Sequence, residues 1–454
     1  MQSKPMLKHS KLLDSILKYL VAAILIAIPL YPKFPFIKIP GISVSIRLED
    51  FLVAVTGVVC LILILPRLKF FLENKINQAI FIFLLTGLLS VFSAIFVTQT
   101  VLPHIAILHW LRRVEYFIPF LAGILVIKND RKNLEFYLKV LVITLFFIFI
   151  YGFGQKHFSW PVIITQNQEY SKGVALRWIP GSHINSTFAG HYDLATFLVL
   201  ILPILITSVF ILRGVLTRFI LWFVILSGLW LLVNAISRIS LVSYLIASAT
   251  SLFLVKRYKE IIIIFIISIL FIGFSSDLLA RYKRLIDIGR QRIGYVKITL
   301  AAEESFLKIR RESTPVPTPA PVFEDRSTSI RLNVEWPRAL RAFSKNPLLG
   351  TGYSSITLAT DNDYLRLLGE IGLIGFFAFF LIFFRIFKEV LIKLPIVKNF
   401  DGANLTFIAG VLGAMPGVFL NATFIDVFEA SKFAIIFWLL VGMFFSLVRN
   451  VDYE

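Results

Sequence analysis

Predominantly apolar stretches of about 18 residues or more recur along most of this 454-residue chain, and each is long enough to cross a hydrocarbon core of roughly 30 Å as a helix. That repetition leaves little room for a soluble fold. The chain is 57% hydrophobic, 15% aromatic and only 16% charged, so two or three soluble domains are excluded in favour of an all-α, polytopic helical membrane protein. The 46 basic residues outnumber the 27 acidic ones, giving +19, but short cytoplasmic loops of membrane proteins collect Lys and Arg in any case. Charge therefore names no nucleic-acid partner, and none is expected. Cys60 is the single cysteine, so an intrachain disulfide and a Cys-based metal site are both ruled out.

The first 18 residues carry Lys4, Lys8, Lys11 and Lys18 ahead of the apolar run Tyr19 to Tyr31. This looks like a signal peptide, but no small-residue cleavage site follows, and we read it as an uncleaved first helix. Further apolar windows lie near 49–66, 77–98, 108–128, 134–154, 192–212, 218–236, 239–255, 260–279, 362–387, 402–421 and 427–448, which makes about twelve spans. With the N-terminus inside, the basic clusters around Arg67, Lys128, Arg213, Lys256 and Arg385 all fall on the cytoplasmic side, as do both termini. The opposite side then receives a loop at 155–191, a turn at Ser237-Arg238, and a long segment at 280–361. This divides the chain into a helical part at 1–279, the external loop at 280–361 and three closing helices in 362–454.

The external loop contains a charged stretch, 281–311, and the run Thr314-Pro315-Val316-Pro317-Thr318-Pro319-Ala320-Pro321. Alternating prolines keep such a segment (314–322) extended, so it is a spacer. Beyond it, a surface helix is expected over 329–345, with Ile330, Val334, Leu340 and Phe343 on an apolar side suited to the outer membrane surface and Pro337 a site of kinking. Asn346-Pro347 ends it, and a glycine turn through Gly350 and Gly352 leads back toward the membrane.

An ionisable residue at membrane depth costs about 2.5–3.5 kcal/mol on insertion scales, so charges at or near span ends on one face are informative. Arg238 occupies the external turn, where it either snorkels to phosphate headgroups or serves a site. Arg112 and Arg113, with Glu115, form a second outward cluster, for which the plain reading is an Arg–Glu pair that orients a helix end. The 155–191 loop brings Arg177 and then His183 and His191 to the start of the next span, and it is more elaborate than connection alone requires. Two histidines without Cys or a matching carboxylate pattern make a poor zinc site, so no metal and no cofactor are expected; His191 is instead a hydrogen-bonding or proton-transfer group. The last cluster joins Arg331 to Asp361, Asp363, Tyr364 and Glu370. Its two aspartates either complement a helix N-terminus or face a substrate, and Glu370 lies about two turns further in.

In order and spacing these motifs resemble those of the O-antigen ligase and Wzy-type O-antigen polymerase superfamily, integral membrane glycosyltransferases that act on lipid-linked glycans. Asn185 through Ala195, containing Gly190-His191-Tyr192-Asp193, is similar to the family's Gly-His-x-Asn/Asp entry into a span. Ser237-Arg238 is similar to its Ser-Arg turn. Arg331, Trp336, Pro347, Gly350, Gly352, Asn362-Asp363-Tyr364-Leu365, Glu370 and Gly372 are similar to the signature closing its large external loop. The likeness covers about 185–380. Ligases of this family place a catalytic His before the Asn matching Asn362, and here that residue is Asp361, as in polymerase-like members.

The resemblance implies transfer of a glycan from a polyprenyl (undecaprenyl) diphosphate carrier to a glycan or lipid acceptor hydroxyl. Inversion, no metal and the outer face of a bacterial inner membrane come with it. Such chemistry asks for guanidinium groups against the departing diphosphate, for which Arg238 and Arg331 are the candidates. It also asks for a base, for which Asp361 is the candidate, with His191 as a helper. Arg112, Arg113, Arg177, Asp363, Tyr364 and Glu370 are expected around the substrate. A flippase or other twelve-span transporter is the main rival; its paired halves with related broken helices are not seen in the sequence.

Overall fold

The computed structural model describes residues 8–32, 37–38, 45–130, 132–162, 176–273, 329–357 and 359–449. The basic stretch 281–311 and the proline-rich spacer lie outside these residues. What is described is almost wholly helical: α1 (Lys8–Leu30), α2 (Leu48–Ile64), α3 (Leu68–Glu73), α4 (Lys75–Phe96), α5 (Pro103–Asn129), α6 (Asn133–His157), α7 (His191–Ile211), α8 (Val215–Asn234), α9 (Arg238–Leu254), α10 (Tyr258–Gly273), α11 (Trp336–Lys345), α12 (Asp363–Ile392), α13 (Gly402–Ala422) and α14 (Ser431–Arg449). Two two-stranded ribbons pair Ile37–Lys38 with Ser45–Ile46 and Pro161–Val162 with Leu176–Arg177.

Each apolar window of the sequence meets one of these helices. Eight of them, α1, α4, α6, α7, α8, α12, α13 and α14, are long and apolar enough to cross a membrane. The remaining four windows meet α5, which carries Arg112, Arg113 and Glu115, and the shorter α2, α9 and α10 of 17, 17 and 16 residues. The chain is a multi-pass helical membrane protein.

Two helices form the interior. All of the apolar window of α14 is buried, and 89% of that of α7, whereas α4, α6 and α8 keep about half their surface facing outward. Lipid is as apolar as leucine, so helices in a membrane associate by close packing, and small residues mark the crossings. Gly442 of α14 lies against the backbone at Phe120 of α5, and Gly123 of α5 lies against Leu439 and Met443 of α14. Along α13, Gly410 contacts Ile204 of α7, while Gly413 and Gly417 contact Ser251 and Ser243 of α9. A methyl group at any of these glycines would overlap its neighbour's backbone.

The surface helix differs from a plain α-helix at its start. Residues Arg331–Glu335 form a π turn, closed by Trp336 N–H donating to the Arg331 carbonyl five residues back. Pro337 explains this: it has no N–H to give Asn333, and its ring would press on that carbonyl in an α-turn. Ile330, Leu332, Val334 and Leu340 point outward and are exposed, while Ala339 is buried against α12. Of the apolar side expected for this helix, Ile330, Val334 and Leu340 therefore face outward, whereas Phe343 is half-buried.

α12 is a broken helix. Gly372 has φ +65° and ψ −171°, which separates Asp363–Ile371 from the rest. The turn after α11 fills the gap. Thr351 and Gly352 donate to the carbonyls of Gly369 and Glu370 at 2.9 and 2.8 Å, and Leu373 and Ile374 donate to those of Pro347 and Leu348 at 2.9 and 3.2 Å. Ser90 of α4 adds a 2.7 Å bond to the Glu370 carbonyl. Freed backbone groups at membrane depth need partners from elsewhere in the protein, and here two glycine-dependent segments supply them to each other. Gly350 (φ +71°) and Gly372 are the close-approach points, each against the other segment's backbone.

Candidate active site

Hydrogen bonds between distant segments gather one set of helix ends into a single face of the bundle. Thr187 and Lys432 both reach the Pro29 carbonyl, Gln155 bonds Ser186, Ile184 bonds the Asn234 carbonyl, Arg47 bonds Ser431, and Asn346 bonds Ser93. The starts of α2, α5, α7, α9, α12 and α14 thus share a face with the ends of α1, α4, α6, α8 and α13. Every candidate residue read from the sequence lies at or near this face.

At its centre Arg331 grips Asp361. Nε and Nη2 donate to one carboxylate oxygen, at 3.0 and 2.7 Å. Tyr192 lies beside the Arg331 guanidinium, which brings in the start of α7. There the His191 ring stacks on that of His183 and meets that of Tyr192 at a tilt, with centroids 4.0 Å apart in each pair. Burial pushes the Asp361 carboxyl above its ordinary range, and the Arg331 guanidinium opposes that rise. A carboxylate in that condition holds a proton more readily than a free aspartate while remaining tied to a cation. Asp361 itself has φ +48°, a left-handed conformation that Asp tolerates better than most residues.

Arg238 begins α9 under a Ser237 cap, whose hydroxyl accepts from the Ser240 amide. Asn421 of α13 fixes its level relative to His191: it accepts from Ser243 at 3.0 Å and donates to Thr196 at 3.1 Å. Ser243 and Thr196 each lie five residues into their helices, so Arg238 and His191 stand at matching heights on neighbouring helix starts.

Beneath this pair lies an internal ion network. Arg366 reaches Asp426 at 2.8 Å, Glu370 at 3.5 Å and Glu429 at 3.7 Å, and Arg113 pairs with Glu429. Asp426 also accepts from the Thr360 and Asn362 amides at 2.8 and 3.2 Å, the residues on either side of Asp361. Asp363 accepts from the Val427 and Phe428 amides at 2.7 and 3.1 Å. Burial opposes ionisation of Glu429, but Arg113 and Arg366 outweigh it and hold the carboxyl below its usual range. The loop between α13 and α14 is thereby locked to the segment that carries Asp361.

Several residues expected around the substrate are placed inside this framework. Arg113, Asp363 and Glu370 are buried in it. Arg112 is turned onto Asp50, at 2.7 and 3.2 Å, and onto Glu115 at 3.3 Å, tying α5 to α2. Tyr364 donates to the Phe419 carbonyl at 2.7 Å. Arg177 is exposed on a strand of the loop that leads to His183.

Sequence reading missed Asp426, Glu429, Arg366, Tyr192 and the buried Lys432. Lys432 donates to the Thr187 and Pro29 carbonyls at 2.8 and 3.1 Å and so pins the loop before His191. The signal was present in two acids around the junction of the last two apolar windows, in Phe424-Ile425-Asp426-Val427-Phe428-Glu429, but the last window had absorbed Glu429.

Fold and site together define a polytopic helical membrane protein with a charged, Arg-rich centre built on one set of helix ends. Residues 221–380 match the model of the O-antigen ligase family, which supports the O-antigen ligase/polymerase superfamily for this chain and, with the membrane-length helices, a membrane enzyme of that glycosyltransferase-like kind. Arg238, Arg331, Asp361, Asp363, Tyr364 and Glu370 fall inside the matched stretch; Arg112, Arg113, Arg177 and His191 precede it. No curated protein matches the chain.

Proposed function

We propose that this chain transfers a glycan from a polyprenyl diphosphate carrier to an acceptor hydroxyl, inverting the anomeric carbon without a metal ion, at the outer face of a bacterial inner membrane. The observation that carries this reading is the Arg331–Asp361 ion pair, with Tyr192 at the start of α7 beside it. In the proposed arrangement about twelve helices cross the bilayer with both termini inside, and the surface helix rests its exposed apolar side in the headgroup layer.

Arg331 and Arg238 receive the diphosphate, since their forked donors match phosphate oxygens and stay charged at any working pH. As phosphate draws Arg331 away, Asp361 loses its cation and gains basicity. The acceptor oxygen then forms its bond to the anomeric carbon on the face opposite the carrier. The carbon–oxygen bond to phosphate breaks with its electron pair leaving on the diphosphate, and the hydroxyl proton passes to Asp361. His191, beside Tyr192, assists in aligning this corner. Arg177 contributes an exposed charge for the approaching carrier. Arg112, Arg113, Asp363, Tyr364 and Glu370 act as positioning residues through the internal contacts described above.

Purified protein is incubated with a synthetic polyprenyl diphosphate oligosaccharide and EDTA, and released carrier diphosphate and glycan size are followed for wild type and Arg238→Ala. A ladder of longer glycans that disappears in the variant supports a polymerase, and a single transfer product supports a ligase. Carrier movement across vesicles without carrier release would overturn the transferase reading in favour of a transporter.

A further inference from the structure

Next to the Arg331–Asp361 pair, four buried polar atoms have no hydrogen-bond partner among the described residues: Glu335 Oε2, Trp336 Nε1, Arg338 Nη1 and Thr360 Oγ1. Thr360 is fully buried and adjoins Asp361. Leaving buried polar atoms unpaired costs about 1–3 kcal/mol each, so a group of them marks a place where something else completes the bonding. Three of them lie within four residues on the helix that carries Arg331, and the fourth precedes Asp361, the partner of Arg331. The π turn at Arg331–Glu335 sets Glu335 close to one turn beyond Arg331, and the Trp336 ring packs at 6.2 Å from Phe424, on the loop that carries Asp426. Burial and the nearby Asp361 both push the Glu335 carboxyl up, while Arg331 opposes them.

The donor and acceptor types select the ligand. A phosphate would meet the carboxylates of Glu335 and Asp361, and a cation would meet the guanidiniums of Arg331 and Arg338. A neutral polyhydroxyl compound meets no repulsion: one hydroxyl donates to Glu335 while accepting from the indole or the guanidinium, and the Thr360 hydroxyl does either. We propose that Glu335, Trp336, Arg338 and Thr360 form the subsite for the acceptor sugar, binding hydroxyls beside the attacking one and leaving the attacking hydroxyl to Asp361.

The proposal rests on the transferase reading, and its test separates the two. Carrier-linked glycan extracted from membranes of the native host serves as donor. The same glycan released from its carrier by mild acid, and the host's lipid-anchored core oligosaccharide, are each titrated as acceptor. Transfer by wild type to neither acceptor sinks the transferase reading itself. With transfer established, Glu335→Gln is expected to raise the acceptor KM by ~10–100-fold while the donor KM stays within about twofold. Trp336→Phe, which keeps an aromatic ring while removing the pyrrole part of the indole and its N–H, is expected to raise the acceptor KM by ~3–10-fold, and Thr360→Val by a similar factor. These two variants decide the matter if Glu335→Gln does not fold. An unchanged acceptor KM, or a fall in kcat alone, overturns the subsite.

Discussion

Both Nε and Nη2 of Arg331 land on the same oxygen of Asp361 across 30 residues of chain, and the ion pair leaves the other oxygen, Oδ1, outside it. A guanidinium and a carboxylate committed to each other in this way must part before either can act on a substrate. Removing the cation should cost turnover by ~10²–10³ if it stabilises the departing diphosphate. Arg331→Ala and Arg238→Ala are each expected to lose transfer to that extent while remaining inserted and folded. Carrier release by either variant at near the wild-type rate would remove that residue from the mechanism.

The same pair sets a pH dependence. A base acts when ionised, so the rate should fall as pH drops through the Asp361 pKa, which lies above the ordinary 3.8 of an aspartate. Arg331 opposes that rise. In Arg331→Gln the acidic limb of the residual rate should therefore move to higher pH, and a limb that stays in place would show that another group titrates there.

Asp361 and Asp363 are two residues apart but engage different partners. Asp363 gives one oxygen to the Val427 and Phe428 amides and is buried. We expect Asp361→Asn to abolish transfer with little change in melting temperature, whereas Asp363→Asn lowers the melting temperature and keeps more of the activity. The reverse ranking in activity would hand the role of base to Asp363.

Glu429 tests the internal network. Removing one partner of a buried ion pair typically costs about 3–5 kcal/mol, because the other charge is left uncompensated. Glu429→Gln should accordingly lower the melting temperature in detergent at neutral pH. The folded pKa of Glu429 lies below its ordinary 4.5, so its stabilisation is fully present above that value and is lost as pH falls through the folded pKa. Melting curves of wild type and variant should converge in that acidic range, and a gap independent of pH would contradict the ion-pair account.

Gly372→Ala should destabilise the fold more than any alanine replacement on the lipid-facing side of α12. The residue holds φ +65°, and an added methyl would meet the Leu348 backbone. Strain of this kind costs on the order of 1–3 kcal/mol before the overlap is counted. Retention of wild-type stability and activity would argue against the interlock between the turn and the broken helix.

Much of this architecture was legible in the sequence because membrane helices announce themselves by length. The window near 192–212 became His191–Ile211, and that near 402–421 became Gly402–Ala422. The expected helix over 329–345 is present, with its disturbance at the proline that signalled it. What escaped notice was pairing across the chain. Hydropathy averages a window, so Glu429 vanished into an apolar run although it pairs with Arg113 more than 300 residues away. Arg112 and Arg113 were recognised as a cluster, but nothing local to them points to Asp50 or Glu429. The break at Gly372 was hidden for a related reason: its justification is the carbonyls of Pro347 and Leu348, which only the folded turn brings within reach.

The lock between Arg113 and Glu429 also has a bearing on biogenesis. One partner enters the membrane early in synthesis and the other only with the final pair of helices, and the loop between those helices fixes the residues flanking Asp361. A chain stalled before that loop would display its arginines without the scaffold that aims them. The charged centre would thus assemble in one step, when α13 and α14 join the helices that precede them.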